Sequence, residues 1–352
     1  MPENPRRRRL ARRALPPILL LVAFAAVPGC YYAQAVRGQF DVLKRRTPVE
    51  EVIADPATDP ALAARLATLA DARDFATREL MLPDNGSYRS YADLERDYVV
   101  WNVIAAPEFS LEAKTWCYLF VGCLAYRGYF DEAGARRTTA RPRDDGYDVY
   151  VGGVAAYSTL GRFADPILNT MLSRDDAELV ALLFHELAHQ RLYLDDDTAF
   201  NESFATAVAE IGLARWLEAR GEPAVAAEWS ERQRRAAARL ELIDETRERL
   251  RALYAQPLPA ATLRERKAEA FAALERALDA RGEGNWPGEL FNNAWLASVA
   301  LYRGNVPAFR ALYADCGREL GCFYAEVEKL GELGAAERAD RLAALAPEGD
   351  PG

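Results

Sequence analysis

The segment 181–212, ALLFHELAHQRLYLDDDTAFNESFATAVAEIG, contains both histidines of this 352-residue chain, His185 and His189. They lie four residues apart, with Glu186 between them. In an α-helix a four-residue step turns the chain by about 400°, so both imidazoles project from one face, one turn apart. The leucines around them fall on the other side of the helix. The segment therefore predicts a helix that presents two imidazoles to a cleft.

Two imidazoles on one helical face can bind one metal ion, and the residue between them suggests which chemistry follows. Zinc lowers the pKa of its water ligand toward 7, and a neighbouring carboxylate takes the proton as the water attacks a carbonyl. With only two histidines in the chain, this arrangement would arise by chance on the order of a few times in ten thousand. The motif predicts one zinc ion, with His185 and His189 as ligands and Glu186 as the general base.

The third ligand is predicted to be a carboxylate, because the chain has no other histidine. Glu202 is the first candidate. The polar turn DDDTAF, with Asp197 or Thr198 as a helix cap, returns the chain as a second helix that brings Glu202 back toward the first. Glu210, two turns further along, is the rival, either as a ligand or as a hydrogen-bond partner of a ligand histidine.

HELAHQ followed by NESFA resembles the gluzincin metallopeptidases, in particular the zinc aminopeptidases of the membrane-alanyl type, whose pattern is HELAHQ, a spacer and NEGFA. The resemblance implies a zincin-like fold, with His185, His189 and Glu202 as zinc ligands and Glu186 as the general base. The spacer between His189 and Glu202 is twelve residues, shorter than in that family, which implies a tighter turn.

No GxMEN segment is present. In the alanyl aminopeptidases its glutamate binds the free amine of the substrate. Glu108, Glu112 and Asp148 remain open as amine-binding acids in this chain.

A second resemblance covers the chain from about residue 29 to the C-terminal region. The stretches GCYYAQAVRGQ, YRGYFDEAGAR and GYDVYVGGVAAYSTLGRFADPIL, together with the histidine segment, are similar to a bacterial family of zinc aminopeptidase lipoproteins. This resemblance implies a peptide substrate and a place in the cell envelope.

The N-terminus has the layout of an export signal. A basic run, RRRRLARR, precedes the apolar stretch ALPPILLLVAFAAVPG and then Cys30. The apolar stretch is shorter than the ~20 residues of a comfortable membrane span. Residues 1–29 therefore resemble a lipoprotein signal peptide, and Cys30 is predicted to be lipidated and to anchor the chain in the bacterial envelope, facing the periplasm. An ordinary secretory signal or an uncleaved anchor is the alternative.

Composition limits the partners of the mature chain. Without residues 1–29 it has 38 basic and 52 acidic residues, a formal charge of −14, so nucleic acid is not expected to bind. Four cysteines remain after Cys30, in two pairs of equal spacing, and an oxidising compartment predicts two local disulfides. Reduced, buried thiols are the alternative. The pairs are Cys117 with Cys123 and Cys316 with Cys322.

Hydrophobic periodicity predicts a mainly α (α+β) fold. A helix is expected over 59–80, and a small sheet before the histidine helix, with strands near 99–106, 117–123 and 147–157. The stretch from residue 90 to the first of these strands is expected to begin as a helix. We take 30–220 as the zincin-like catalytic region. Residues 221–345 form a helical region with a long hairpin at 222–283, either separate or part of the same domain.

The strand near 147–157 is predicted to take part in substrate binding. Gly152 and Gly153 would allow a peptide backbone to approach and pair as an added strand. Tyr157, near its end, is the candidate hydrogen-bond donor to the oxyanion, with a purely packing role as the alternative.

These features together predict a zinc-dependent peptidase of the cell envelope, more specifically an aminopeptidase. Two alternatives stay open. One is a non-catalytic envelope lipoprotein that binds a protein partner through its helical hairpin. The other is a zinc hydrolase of another envelope amide or ester.

Overall fold

The computed structural model describes residues 17–118, 122–282 and 291–346. The protein is mainly helical with small sheets, as predicted. The helices are α1 (Pro17–Lys44), α2 (Val49–Ala54), α3 (Pro60–Leu80), α4 (Glu132–Thr138), α5 (Ala140–Asp144), α6 (Asp176–Arg191), α7 (Thr198–Arg220), α8 (Pro223–Tyr254), α9 (Ala260–Ala280), α10 (Asn293–Arg303), α11 (Val306–Asp315), α12 (Leu320–Glu332) and α13 (Ala335–Leu345). The strands are β1 (Thr47–Pro48), β2 (Ser90–Ala92), β3 (Val100–Pro107), β4 (Trp116–Tyr118), β5 (Gly122–Leu124), β6 (Arg127–Tyr129), β7 (Tyr147–Val154) and β8 (Ile167–Leu168).

The sheet that precedes the histidine helix has the strand order β6-β3-β7, with both pairings antiparallel. Its strands β3 and β7 confirm two of the predicted strands. The third prediction, one strand over 117–123, was wrong: β4 and β5 form a separate hairpin, in which Cys117 faces Cys123. Gly122, with a left-handed φ of +70°, reverses the chain there.

The helix expected from residue 90 was also wrong. Residues 90–92 form β2, which pairs antiparallel with β1 and parallel with β8. This second small sheet ties the segment after α1 to the segment just before α6. A short paired strand was favoured over a helix because both of its neighbours supply backbone partners from distant parts of the chain.

The main core surrounds the two helices that carry the histidine motif and its return. Helix α6 lies between α3 and α7, and α11 to α13 close the far side of α7. The aromatic rings Phe200, Phe204, Phe309 and Phe323 pack edge-on or stacked in this layer, all fully buried. The C-terminal helices thus share one hydrophobic cluster with α6 and α7, which fixes both helices rigidly.

Helices α8 and α9 form the predicted hairpin. Its apolar residues, among them Leu250, Phe271 and Leu278, pack between the two helices and against Trp295 of α10. Within the described part of the chain, no large hydrophobic side chain of the hairpin is exposed. The hairpin buries its apolar side internally and presents charged residues to solvent.

The N-terminal helix α1 contains Cys30 and continues to Lys44. The basic run of the predicted signal falls in residues 1–16, outside the described residues. Gln34 joins α1 to the sheet, donating to the carbonyl of Gly128 and accepting from the amide of Phe130. Among the described helices, none combines the length and the apolar character that a bilayer crossing requires.

Candidate metal centre and its cavity

Helix caps set the positions of both motif helices. The side chain of Asp175 accepts from the backbone N–H of Glu178 at the start of α6. Asp197 does the same for Phe200 at the start of α7, 3.0 Å away, as one of the two predicted caps. Between the helices, the Asn201 amide bonds both the N–H and the carbonyl of Leu194. The short turn is therefore held at its two ends.

This turn brings three potential metal ligands together. The Nε2 atoms of His185 and His189 lie 3.2 Å apart. Oε2 of Glu202 lies 3.3 Å from the first and 3.6 Å from the second. One ligand atom from each of these residues falls within 4.8 Å of the others, so the group could hold a metal ion.

The charges within this group shift the pKa values of Glu202 and His189. Burial raises the pKa of Glu202, but the charges of and hydrogen bonds to His189 and His185 outweigh it and lower the pKa to about 2. Burial also lowers the pKa of His189, and Glu202, then Glu186, reverse this and raise it. The carboxylate is thus held ionised, which is the form that a metal ion requires of a ligand.

Glu186 stands beside the group without belonging to it. Its side chain lines the same cavity as the two histidines, and only 6% of the residue is exposed. Burial raises its pKa, with His185 and His189 opposing and Glu202 reinforcing the shift. A buried carboxylate with a raised pKa, facing a cavity, is a stronger base than a solvated carboxylate and is suited to accept a proton.

The cavity has a volume of about 1090 Å³, just above the range of about 300 to 1000 Å³ for small-ligand sites. One end is formed by the metal group, Arg174, Tyr193 and Glu210. The other walls come from α1, from the face of the sheet formed by β3, β6 and β7, and from α10. The cavity is therefore larger than the metal group needs, and it extends along the sheet.

Tyr157 lines this cavity, as does the metal group. Its hydroxyl, however, donates a hydrogen bond to Oε1 of Gln39 on α1, and its ring packs edge-on against Phe130. The structure places the residue in the right cavity but engages its hydroxyl with the N-terminal helix.

Sequence reasoning did not single out Tyr193, which also lines the cavity. Burial and then the carboxylate of Glu202 raise its pKa to about 12, which places its phenol within electrostatic range of the metal group. The sequence does contain a pattern that points to Tyr193, because His185, His189 and Tyr193 follow one another at four-residue steps. Helix α6 ends at Arg191, so the spacing alone does not fix the position of the phenol.

The rival ligand Glu210 also lines the cavity but is not one of the grouped ligands. One of its oxygens lies 2.6 Å from Arg310, and the other accepts from Gln233. It is not the hydrogen-bond partner of His189, whose Nδ1 is buried with no partner in the described part of the structure.

The three amine-binding acids left open by the sequence lie elsewhere. Arg264 binds Glu108 at 2.6 Å, and Lys267 binds Asp148 at 2.5 Å. None of the three, Glu112 included, is among the residues that line the cavity.

The predicted cysteine pairs are both joined in the structure, as Cys117–Cys123 and Cys316–Cys322. Each bond closes a local loop, one in the β4–β5 hairpin and one between α11 and α12.

A family model described as "putative aminopeptidase" matches residues 30–342. The match spans the sheet, both motif helices, the hairpin and the C-terminal helices, so it covers most of the chain. No curated protein matches the chain significantly, and neither does any solved structure.

Proposed function

The chain belongs to this putative aminopeptidase family, and from that premise we propose that it is a zinc-dependent aminopeptidase with a zincin-like catalytic region. The observation that carries the proposal is the convergence of His185, His189 and Glu202 from two helices onto one point, with Glu186 beside them.

The donor set supports zinc. Two imidazoles and one carboxylate are a ligand set that catalytic zinc sites use, with a further position left for water or substrate. Ligand atoms at 2.0–2.2 Å from a tetrahedral zinc ion are separated by about 3.3 to 3.6 Å. The three donor atoms here are 3.2, 3.3 and 3.6 Å apart, so they fit one such ion with little movement.

When bound, zinc supplies Lewis acidity that acidifies water and polarises the scissile carbonyl. The protein's own residues do the rest. Glu186 takes the proton from the attacking water and later delivers it to the leaving amine. A phenol hydrogen-bonds the oxygen on which charge develops. Tyr193 serves this role better than Tyr157, because the charge of Glu202 acts on the pKa of its phenol, whereas the hydroxyl of Tyr157 is bound to Gln39.

An aminopeptidase also needs an acid for the free amine of its substrate. Apart from Glu186 and Glu202, Glu210 is the only carboxylate among the described residues that line the cavity. It follows Glu202 by two helical turns on the same face of α7. We assign the amine-binding role to Glu210, with Arg310 and Gln233 holding its carboxylate in place.

We propose that the enzyme works at the bacterial cell envelope, anchored by a lipid on Cys30. The signal-like N-terminus supports this, and so do the two disulfides, which are typical of an oxidising compartment. The test is Cys30→Ser in the full-length chain. Lipidated wild type should partition into detergent and the membrane fraction, whereas the variant should be soluble; equal partitioning of both would reject the anchor.

The activity is tested with two pools of the same peptides, one with free and one with acetylated N-termini. We expect zinc-loaded protein to cleave only the free-amine pool, and Glu186→Gln to lose this cleavage while still binding zinc. Glu210→Gln should mainly raise KM for free-amine peptides. Equal cleavage of both pools would show that the protein is a peptidase but not an aminopeptidase. No cleavage of either pool would refute the proposal and favour another envelope amide or ester.

A further inference from the structure

The central strand of the sheet places a polar side chain in the cavity wall. Val100, Asn102 and Ile104 alternate along β3 and so lie on one face of the sheet, and all three line the cavity. The residues opposite Asn102 on the two neighbouring strands are both glycines. Gly128 of β6 and Gly152 of β7 pair directly with it, and both also line the cavity.

Gly128 leaves a trough in the sheet face on the β6 side of the Asn102 amide. A Cβ at Gly128 would lie 3.2 Å from Oδ1 of Asn102 and 3.0 Å from a methyl group of Val100. On the β7 side the space is occupied by Tyr150, whose ring would lie 3.0 Å from a Cβ at Gly152. A side chain on β6 would therefore fill the trough and crowd the amide.

Asn102 is 8% exposed, and its side-chain amide makes no hydrogen bond to the other described residues. Its amide atoms are not among the fully buried side-chain atoms that lack a partner, because they are open to the cavity that the residue lines. A buried amide that opens only into a cavity therefore has the position of a ligand-binding group. Every other buried asparagine side chain in the described part of the chain has partners: Asn201 binds Leu194, and Asn293 binds the carbonyls of Pro107 and Glu108.

The surroundings of the trough indicate the kind of ligand. The residues that line the cavity from α1, β3, β6, β7 and α10 carry no charge. They include Tyr31, Phe40, Val100, Trp295 and Val299, and Phe130, directly after β6, also lines the cavity. The charged residues that line the cavity come from α6, α7 and the segment before α6. The cavity thus has a charged end at the metal group and an uncharged, largely apolar and aromatic arm.

We propose that this arm is the substrate-binding subsite for peptides with bulky apolar side chains, and that Asn102 binds a peptide group of the substrate backbone. The inference rests on the proposed peptidase function and deepens it. A carboxamide offers one acceptor and two donors, which match the N–H and C=O of a peptide bond. Gly128 lets that bond approach the amide, while the aromatic walls contact the side chains of the peptide. An acyl chain would leave the amide unpaired.

The two glycines of β7 both make room for tyrosines of the protein itself. A Cβ at Gly152 would meet the ring of Tyr150, and a Cβ at Gly153 would meet the ring of Tyr98. Both glycines also line the cavity.

The test measures binding without turnover. In a zinc-loaded Glu186→Gln background, a fluorescent peptide rich in Leu and Phe and a length-matched Ser- and Gln-rich peptide are titrated by anisotropy. We expect the apolar peptide to bind more tightly. Adding Asn102→Leu should weaken its binding roughly tenfold, the loss expected for a hydrogen bond to a buried group. Gly128→Ala should produce a loss in the same direction by crowding the amide.

Asn169→Leu is the matched control. The Asn169 amide accepts from the N–H of Leu94 and donates to the carbonyl of Arg96, and the residue does not line the cavity. This substitution should lower the unfolding midpoint and leave peptide affinity per folded molecule unchanged. Asn102→Leu should weaken peptide affinity and leave the unfolding midpoint close to that of wild type, since its amide makes no hydrogen bond within the described part of the protein.

Two results would overturn the inference. One is unchanged affinity for the apolar peptide in Asn102→Leu. The other is preferred binding of a fluorescent fatty acid that tightens in Asn102→Leu, which would assign the arm to an acyl chain. Failure of the proposed function would give a different result. Wild type would then cleave no peptide, whether or not the Glu186→Gln protein binds the peptides.

Discussion

Oε2 of Glu202 lies 3.3 Å from Nε2 of His185, although the two residues belong to different helices. The contact exists because the turn between α6 and α7 is short and pinned by Asn201. A metal site of this kind is as rigid as the packing of the two helices, which lie at the centre of the main core. Because the packing of the two helices fixes the positions of the ligands, the contribution of each ligand can be tested with a single substitution.

Replacing Glu202 should abolish stable metal binding. Glu202→Gln keeps the shape but removes the charge that pairs with both histidines, so we expect metal content after dialysis to fall from about one zinc per chain to near zero. Added zinc at a hundredfold excess over Kd should stabilise wild type by about 2.7 kcal/mol and the variant hardly at all. Elemental analysis and thermal unfolding measure both effects.

Glu210→Gln is the control for that experiment, since Glu210 lies on the same helix and lines the same cavity. It should retain metal. If Glu210→Gln loses zinc and Glu202→Gln retains it, the third ligand is Glu210 and the assignment to Glu202 is wrong.

Asp165 should make the protein less stable as the pH rises through 6. It is 2% exposed and accepts from the N–H and hydroxyl of Thr159. Burial raises its pKa to about 6 from 3.8, opposed by Thr159 and Arg46 and reinforced by Glu186. Because the folded pKa is raised, its stabilising effect is fully present below pH 3.8 and is lost as pH rises through about 6.

Two pKa units correspond to about 3 kcal/mol. Most of this change falls between pH 3.8 and pH 6, so urea unfolding at pH 5 and pH 7.5 should show a decrease of about 1.4 kcal/mol in wild type from Asp165. The decrease should be smaller in Asp165→Asn, whose amide oxygen can still accept from Thr159. An identical pH dependence in the two proteins would show that Asp165 titrates normally.

Tyr88 should gain stability on losing its hydroxyl. The residue is fully buried with a left-handed φ of +62°, and its hydroxyl has no partner in the described part of the structure. Tyr88→Phe should therefore raise the free energy of unfolding by about 1 kcal/mol. In the matched variant Tyr324→Phe, loss of the 2.9 Å hydrogen bond to the carbonyl of Leu80 should lower it by a similar amount. If Tyr88→Phe is destabilising, the hydroxyl is hydrogen-bonded in solution.

The disulfide between Cys316 and Cys322 should contribute modestly, because it closes a loop of only six residues. Chain entropy predicts about 2 kcal/mol for so short a loop. The double variant Cys316→Ser, Cys322→Ser should lose this amount in urea unfolding. Wild type with reductant should lose more, because reduction also opens Cys117–Cys123. Alkylation followed by mass spectrometry measures the free thiols; four reactive thiols in the unreduced mature domain would contradict both bonds.

Local features were predictable from the sequence because they depend on neighbours along the chain. The helix over 60–80 begins at the Asp59 cap and Pro60 that mark its start. The hairpin helices follow their apolar periodicity on either side of a proline-rich break. The expected helix from residue 90 failed, because the pairing of β2 with β1 and β8 depends on segments far away in sequence.

The order of residues in the chain is enough to predict the chemistry of the candidate site: two imidazoles at helical spacing, a carboxylate between them and a capped return helix carrying another. Helix periodicity puts the two imidazoles on one face, and the cap marks where the return helix begins. The surroundings of the site depend on packing between distant segments. The pairing of Asn102 with two glycines, the electrostatic effect of Glu202 on Tyr193 and the bond between Tyr157 and Gln39 all join residues of different elements. Such contacts follow from packing and strand register, which no local pattern encodes.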